Sequence, residues 1–386
     1  MKILSAVAIA LISFQIIAED SAFKQAIEPR TLVFPQDHAS HAGYQTEWWY
    51  VTGNVRDAEG HDYGYQFTIF RRAMDPKTAA ERGRSSDWAP TDFYLGHLAI
   101  SDIGSKAFYF EEDLLRGAAG LAGATDVAAF KPSEPIRVWL RDWELVRTEH
   151  GWTIKAARGD IALDLTLIES LAPVTHGRPG EEGLSHKGPL PGQASYYYSV
   201  PQLKTTGTMT IGKKTVTVKD GVSWMDHEFG SNQLSKDQAG WEWFAVELED
   251  GSALMLYILR KADGSIEPAS SGTWTSPDGK SVHLPLEAIK ATPLNSWTSP
   301  KTARRYTLAW RIELPGRDTS LELRTQQDDQ EVRSQKTAGI SYYEGAVNVS
   351  GTISGKSVTG RGYLEITGAP GGANAHENSG GLGGRL

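Results

Sequence analysis

The chain has 386 residues, 40% of them hydrophobic and 22% charged, with a net charge of −8 and no cysteine. That length makes two domains the default, and the acidic balance argues against nucleic acid as a partner, which calls for a basic stripe. The absence of cysteine excludes disulfides, thiol nucleophiles and thiolate metal sites.

Residues 1–18 read "MKILSAVAIALISFQIIA": one lysine, an apolar run from Ile3 to Ile17, then Ala18 before an acidic pair. This is the pattern of a secretory signal peptide and predicts a periplasmic or secreted protein. No later run reaches the ~18 apolar residues a membrane span requires, so no stable span is expected after signal cleavage. Next comes "EWWYVTGNV", the turn "RDAEGHD" and "YGYQFTIFRR", a long hairpin signature. Further strand-like segments follow, "DFYLGHLAISD", "IRVWLRDWELVR", "GWTIKAARGD" and "IALDLTLIES", with alternating apolar residues and turn residues between them. The Gly- and Pro-rich "APVTHGRPGEEGLSHKGPLPGQAS" reads as a long ordered loop over a barrel mouth. "GWEWFAVELEDG" and "SALMLYILRKADGS" then repeat the tryptophan-led hairpin, and strands continue to a Gly-rich tail predicted to be disordered. The fold class is therefore all-β, two antiparallel barrels or curved sheets in tandem with little helix. The expected division is a leader at 1–18, domains at 30–225 and 226–368, and a tail at 369–386.

Twelve tryptophans are the unusual figure, and aromatics suit apolar-walled sites. Standard catalytic signatures are missing. There is no GxSxG elbow. "SGTISGKS" has Ser350 where a phosphate loop needs glycine, and the HExxH-like string starting at His227 ends in Ser231. What remains is "GVSWMDHEFGSNQL". In a strand Trp224, Asp226 and Glu228 share one face, with Met225 and His227 on the other. An acid among tryptophans loses solvation, its pKa rises, and it can act as a general acid near neutrality. The alternative is a structural cluster in which Asp226 and Glu228 satisfy backbone donors at a turn. Asp37, His38, His41 and Glu47 could join Asp226 and His227 around a metal, but no compact ligand spacing supports that, and neither metal nor cofactor is expected. Glu47 and Trp49 alternate with Trp48 and Tyr50, and the sequence does not fix which set faces a cavity. His97 is either a core histidine bonded to backbone or a cavity-facing polar group. Tyr196 and Tyr198 share one face and Tyr197 takes the other; packing explains them, and a pocket wall is equally allowed.

The strings "FPQDHASHAGYQTEWWYVTGNV", "GYQFTIFRRA", "FYLGHLAISD", "YYYSVPQLKTTGTM", "WMDHEFGSNQL", "GWEWFAVELEDG" with "LMLYILR", and "YYEGAVNVSG" with "GRGYLEITG" resemble the AttH-like, carotenoid 1,2-hydratase (CrtC-type) family. The resemblance runs from about Phe34 to Thr367. It implies two lipocalin-like (calycin-type) β-barrel domains and a hydrophobic small molecule, terpenoid or lipid-like, as ligand. For a hydratase it implies Asp226 as the acid, with Trp224, Tyr196 and Tyr198 among the pocket residues. His227 and Glu228 depart from the carotenoid enzymes and point to a different acid–base arrangement, giving Asp226, His227 and Glu228 as the catalytic set. Glu47, Trp48, Trp49, His97, Trp241 and Trp243 complete the expected binding set. A non-catalytic periplasmic carrier working with an ABC-transporter system is the second reading the family allows. Ester hydrolysis by Ser223 with His227 and Asp226 is a third, disfavoured because a strand points Ser223 and Asp226 to opposite faces.

Overall fold

Strands with a period of two and turns rich in Gly and Asp pair with their sequence neighbours, so hairpins dominate. The computed structural model describes residues 23–368 apart from 79, 80, 91 and 338; the expected leader and tail lie outside these. Two antiparallel sheets of 13 and 10 strands result, and among the described residues the only helices are three-residue turns of 3-10 type. The first sheet is a nearly closed barrel and the second a half-barrel. The all-β expectation holds, while full closure of the second sheet does not. Its terminal strands, Ser281–Pro285 and Lys290–Thr298, follow one another in sequence but do not pair.

Both sheets share a topology. Strand Thr46–Asp57 lies between its hairpin mate Asp62–Ala73 and the last strand of its own sheet, Lys214–Gly230. Likewise Gln238–Leu248 lies between Ala253–Lys261 and the last strand of the second sheet, Lys356–Thr367. This common order matches the internal echo of the sequence. The division expected at 225/226 falls inside Lys214–Gly230, a strand whose ladder runs unbroken to Gly230, so the acidic triplet stays with the first sheet.

Each sheet has an apolar interior, and a third cluster joins them: Tyr50, Tyr197, Trp224, Trp243, Tyr257 and Tyr363 pack between the outer faces of the two sheets. Burying a large apolar side chain contributes ~1.5–3 kcal/mol, so this seam is a third core. The backbones approach closely there. A Cβ on Gly64 would stand 2.7 Å from the Ala346 Cβ, nearer than two carbon atoms tolerate. Asn54 Nδ2 donates to the Gly362 carbonyl at 2.9 Å and Ser101 Oγ to Gln330 Oε1 at 2.7 Å, two polar links across the seam.

A candidate active site between the two sheets

Register decides which side chains meet. Tyr50 stands opposite Asp226 and Trp48 opposite Glu228; on the other flank Ser199 faces Asp226 and Tyr197 faces Glu228. Residues directly opposite project to the same side of a sheet, so all of these leave the outer face of the barrel toward the half-barrel. All but Ser199 line a cavity of about 170 Å³. Since ~150 Å³ suffices for benzene, a ring-sized group fits. One wall carries Trp48, Tyr50, Phe70, Tyr197, Asp226 and Glu228; the other carries Trp241, Trp243, Tyr257, Tyr342, Glu344 and Glu365. Asn232 at the rim is exposed.

Asp226 is held from three sides. Its Oδ1 accepts from Trp224 Nε1 at 2.6 Å and Ser199 Oγ at 2.5 Å, and its Oδ2 from Tyr197 OH at 2.5 Å. Trp243 Nε1, from the second sheet, donates to Tyr197 OH at 3.0 Å, which directs the phenolic proton at Asp226. Behind Ser199 lies His176 Nε2 at 2.7 Å, whose Nδ1 meets Thr273 Oγ1 at 2.8 Å. Burial pushes the Asp226 carboxyl up to about 7 even though the three donors pull the other way; the neighbouring Glu228 adds to the rise. The group therefore exchanges its proton near neutrality. Glu228 accepts from Ser195 Oγ at 2.5 Å and faces Lys187 Nζ at 3.5 Å. That ammonium lies 3.8 Å from the Tyr257 ring centroid and 4.7 Å from that of Tyr197. Lys187 and His176 belong to the segment expected over a barrel mouth. It lies instead along the seam, where His176 and Ser185 bond the second sheet at Thr273 and Tyr257.

Six of the predicted residues line the cavity: Asp226, Glu228, Trp48, His97, Trp241 and Trp243. Trp224 supports Asp226 from behind. His97 is a cavity-facing group bonded to side chains, not backbone: Nδ1 to Tyr342 OH at 2.6 Å and Nε2 to Thr337 Oγ1 at 2.7 Å. Burial pushes its pKa down to about 4, so it is neutral.

Glu47, Trp49, Tyr196, Tyr198 and His227 do not join them. Alternation sends them to the opposite face, into the first barrel, where they pack with Phe229 and Met225. There Glu47 Oε1 accepts from His227 Nε2 at 2.9 Å and His41 Nδ1 at 2.8 Å, while Arg71 Nε reaches Oε2 at 3.0 Å. Tyr198 OH bridges His227 Nδ1 at 2.9 Å and His38 Nδ1 at 2.6 Å, and Asp37 Oδ1 accepts from His41 Nε2 at 2.9 Å. His41, Glu47 and His227 bring ligand-type atoms within 4.8 Å of one another. The Arg71 guanidinium already supplies the counter-charge beside Glu47, and the remaining nitrogens are bonded to Asp37 and Tyr198, so the trio is a closed ion-pair cluster. Ser223 also points inward, at 2.6 Å from both Tyr65 OH and Thr205 Oγ1. Among the described residues its hydroxyl meets no base.

The sequence reading missed Tyr50, Tyr197, His176, Lys187, Glu344 and Glu365 as site residues. A signal existed. "TEWWYVTGNV" and "SWMDHEF" carry large or ionisable side chains on both faces, which a strand with one solvated face would not.

A family profile described as AttH-like matches residues 25–369. The chain belongs to the AttH-like family. Its fold is that of an AttH from Nitrosomonas europaea, with a TM-score of 0.76 and 31% identity over 88% of this chain and 98% of that one. The AttH-like chain is also similar to a kievitone hydratase of Fusarium solani subsp. phaseoli, 28% identical over 177 residues, 45% of this chain and 49% of the relative. A dehydratase, AsqC, of Emericella nidulans is 20% identical over 219 residues, 55% of this chain and 60% of the relative. The chain thus matches about half the length of these curated relatives. The kievitone hydratase structure from Nectria haematococca superposes with a TM-score of 0.62 at 15% identity, covering 90% of this chain and 98% of that one, which is agreement in fold.

Proposed function

We propose that this AttH-like protein is a hydro-lyase that adds water to, or removes it from, a hydrophobic terpenoid- or lipid-like small molecule, with Asp226 as the group that moves a proton at carbon. The observation that carries this reading is a carboxyl pushed up to about 7 at the wall of an aromatic cavity. Water does not add to an isolated alkene until the alkene is protonated. That step needs a desolvated acid, and the cation it creates needs aromatic faces around it. Asp226 supplies the first; Trp48, Tyr50, Trp241 and Trp243 supply the second. The relatives whose names contain hydratase and dehydratase support the same class of reaction. Residues 1–18 support an exported setting, in which an ABC-transporter system is a fitting partner. The test is to incubate the purified protein with isoprenoid alkenes and the corresponding tertiary alcohols in oxygen-18 water, following the label by mass spectrometry. A time-dependent gain of labelled water by the alkene, or its reversal, is the expected result. Tight retention of such a molecule without conversion would favour a carrier instead.

A further inference from the structure

The second sheet repeats the carboxylate arrangement of the first. Trp48, in the leading hairpin of the barrel, stands opposite Glu228 in that sheet's last strand; Trp243, in the leading hairpin of the half-barrel, stands opposite Glu365 in its last strand. Glu365 has a second acid directly across the next strand pair, Glu344. Both line the same cavity as Asp226, on the wall facing it, and Glu344 is 1% exposed. Tyr50 crosses the seam to donate to Glu344 Oε2 at 2.8 Å.

A pair of acids on neighbouring strands, Glu344 buried and Glu365 half-buried, is costly to keep unless it has a role. The charged neighbours do not neutralise it. The charges acting on the pair are those of Asp226 and Glu228, with the phenols of Tyr50, Tyr342 and Tyr363 close by and Trp241 bonding Glu365; of the cavity's cations, Lys187 sits with Glu228 and Arg72 donates to Thr46 Oγ1 at 2.7 Å. Burial raises Glu365 to about 8, and burial together with Glu365 raises Glu344 well above the usual carboxylate range. Both carboxyls therefore hold protons near neutrality, and Glu365 is the one that releases its proton first.

We propose that the Glu344–Glu365 pair is a second proton-handling group of the same site, acting on oxygen while Asp226 acts on carbon. This rests on the hydro-lyase reading. In hydration, Asp226 gives its proton to an alkene carbon as the π bond breaks, leaving a carbocation and the Asp226 carboxylate. A water at the pair forms the new C–O bond and passes one proton to Glu365 in those molecules where that carboxyl, the more acidic of the two, is ionised. That proton returns to Asp226 through cavity water, so the sum is alkene plus water to alcohol. Dehydration runs the same steps in reverse, with the pair protonating the departing hydroxyl. Each sheet thus supplies one half of the reaction, and neither barrel alone holds a complete site.

Glu344→Gln and Glu365→Gln, chosen to keep shape and hydrogen bonding, test this in the full chain, with circular dichroism and thermal melting confirming the fold. The probes are the isoprenoid alkenes above, in heavy water and in oxygen-18 water. Both variants should lose hydration by ~100-fold or more while still exchanging deuterium into the recovered alkene, because Asp226 continues to protonate carbon and the uncaptured cation collapses back. A structural role would depress both readouts together, and that outcome overturns the proposal. Hydration at the wild-type rate in either variant overturns it too, leaving the hydro-lyase reading intact. Absence of both exchanges in the wild-type protein overturns that reading and the proposal with it.

Discussion

Glu47 and Asp226 are both buried carboxyls within one pair of hydrogen-bonded strands, and they are driven in opposite directions. Burial raises each. At Glu47 the Arg71 guanidinium, then His227 and His41, overwhelm that rise and hold the group well below the usual carboxylate range. At Asp226 only neutral donors answer burial, and the carboxyl climbs to about 7. The two side chains leave opposite faces of the sheet: one is buried in the interior of the nearly closed barrel, the other lines a cavity with an exposed rim. A buried acid with a cation is architecture, and a buried acid with hydroxyls and indoles is available for chemistry.

Breaking the Asp226 side of that contrast should have the largest effect. Asp226→Asn keeps the three donors nearby but cannot transfer a proton, and turnover should fall by ~10²–10⁴-fold with the melting transition intact. Wild-type turnover in that variant would remove Asp226 from the mechanism. On the other side, Arg71→Ala strands Glu47 without its cation and should lower unfolding free energy by ~3–5 kcal/mol, read from denaturant titration. A loss under ~1 kcal/mol would mean that the ion pair contributes little to holding the barrel.

The last effect concerns pH and has opposite signs at the two sites. Glu47 has a depressed folded-state pKa, so its stabilisation is present above the unfolded value of 4.5 and is lost as pH falls toward the folded one. Asp226 has a raised pKa, so it progressively weakens the fold as pH climbs from its unfolded 3.8 to about 7. Asp226→Asn should accordingly be more stable than wild type above pH ~7, by at most about 4 kcal/mol at ~1.4 kcal/mol per pKa unit, with the gain gone below pH ~4. An equal gain at all pH values would assign the effect to packing.

Much of the fold was legible because strand periodicity and turn residues act locally. The two tryptophan-led hairpins, the echo between them and the shared face of Trp224, Asp226 and Glu228 all follow from a period of two. The cavity was less legible because it lies between outer faces. Alternation separates Tyr197 from Tyr196 and Tyr198, and Trp48 from Trp49, but it does not state which set is outside, and here the outside is also buried. Glu344 and Glu365 lie 21 residues apart in sequence and become neighbours through strand register, and Lys187 arrives from a loop. Those are tertiary facts, and no local pattern encodes them.

The account rests on Asp226 holding a proton at neutral pH. Carbon-13 NMR of protein labelled at the aspartate carboxyl carbons, with the Asp226 resonance assigned by its disappearance in Asp226→Asn, reads that proton directly across a pH titration. A midpoint near 7 is the predicted result. A midpoint near the ordinary 3.8 would show a carboxylate already ionised in the cavity, and the acid at the centre of this mechanism would be gone.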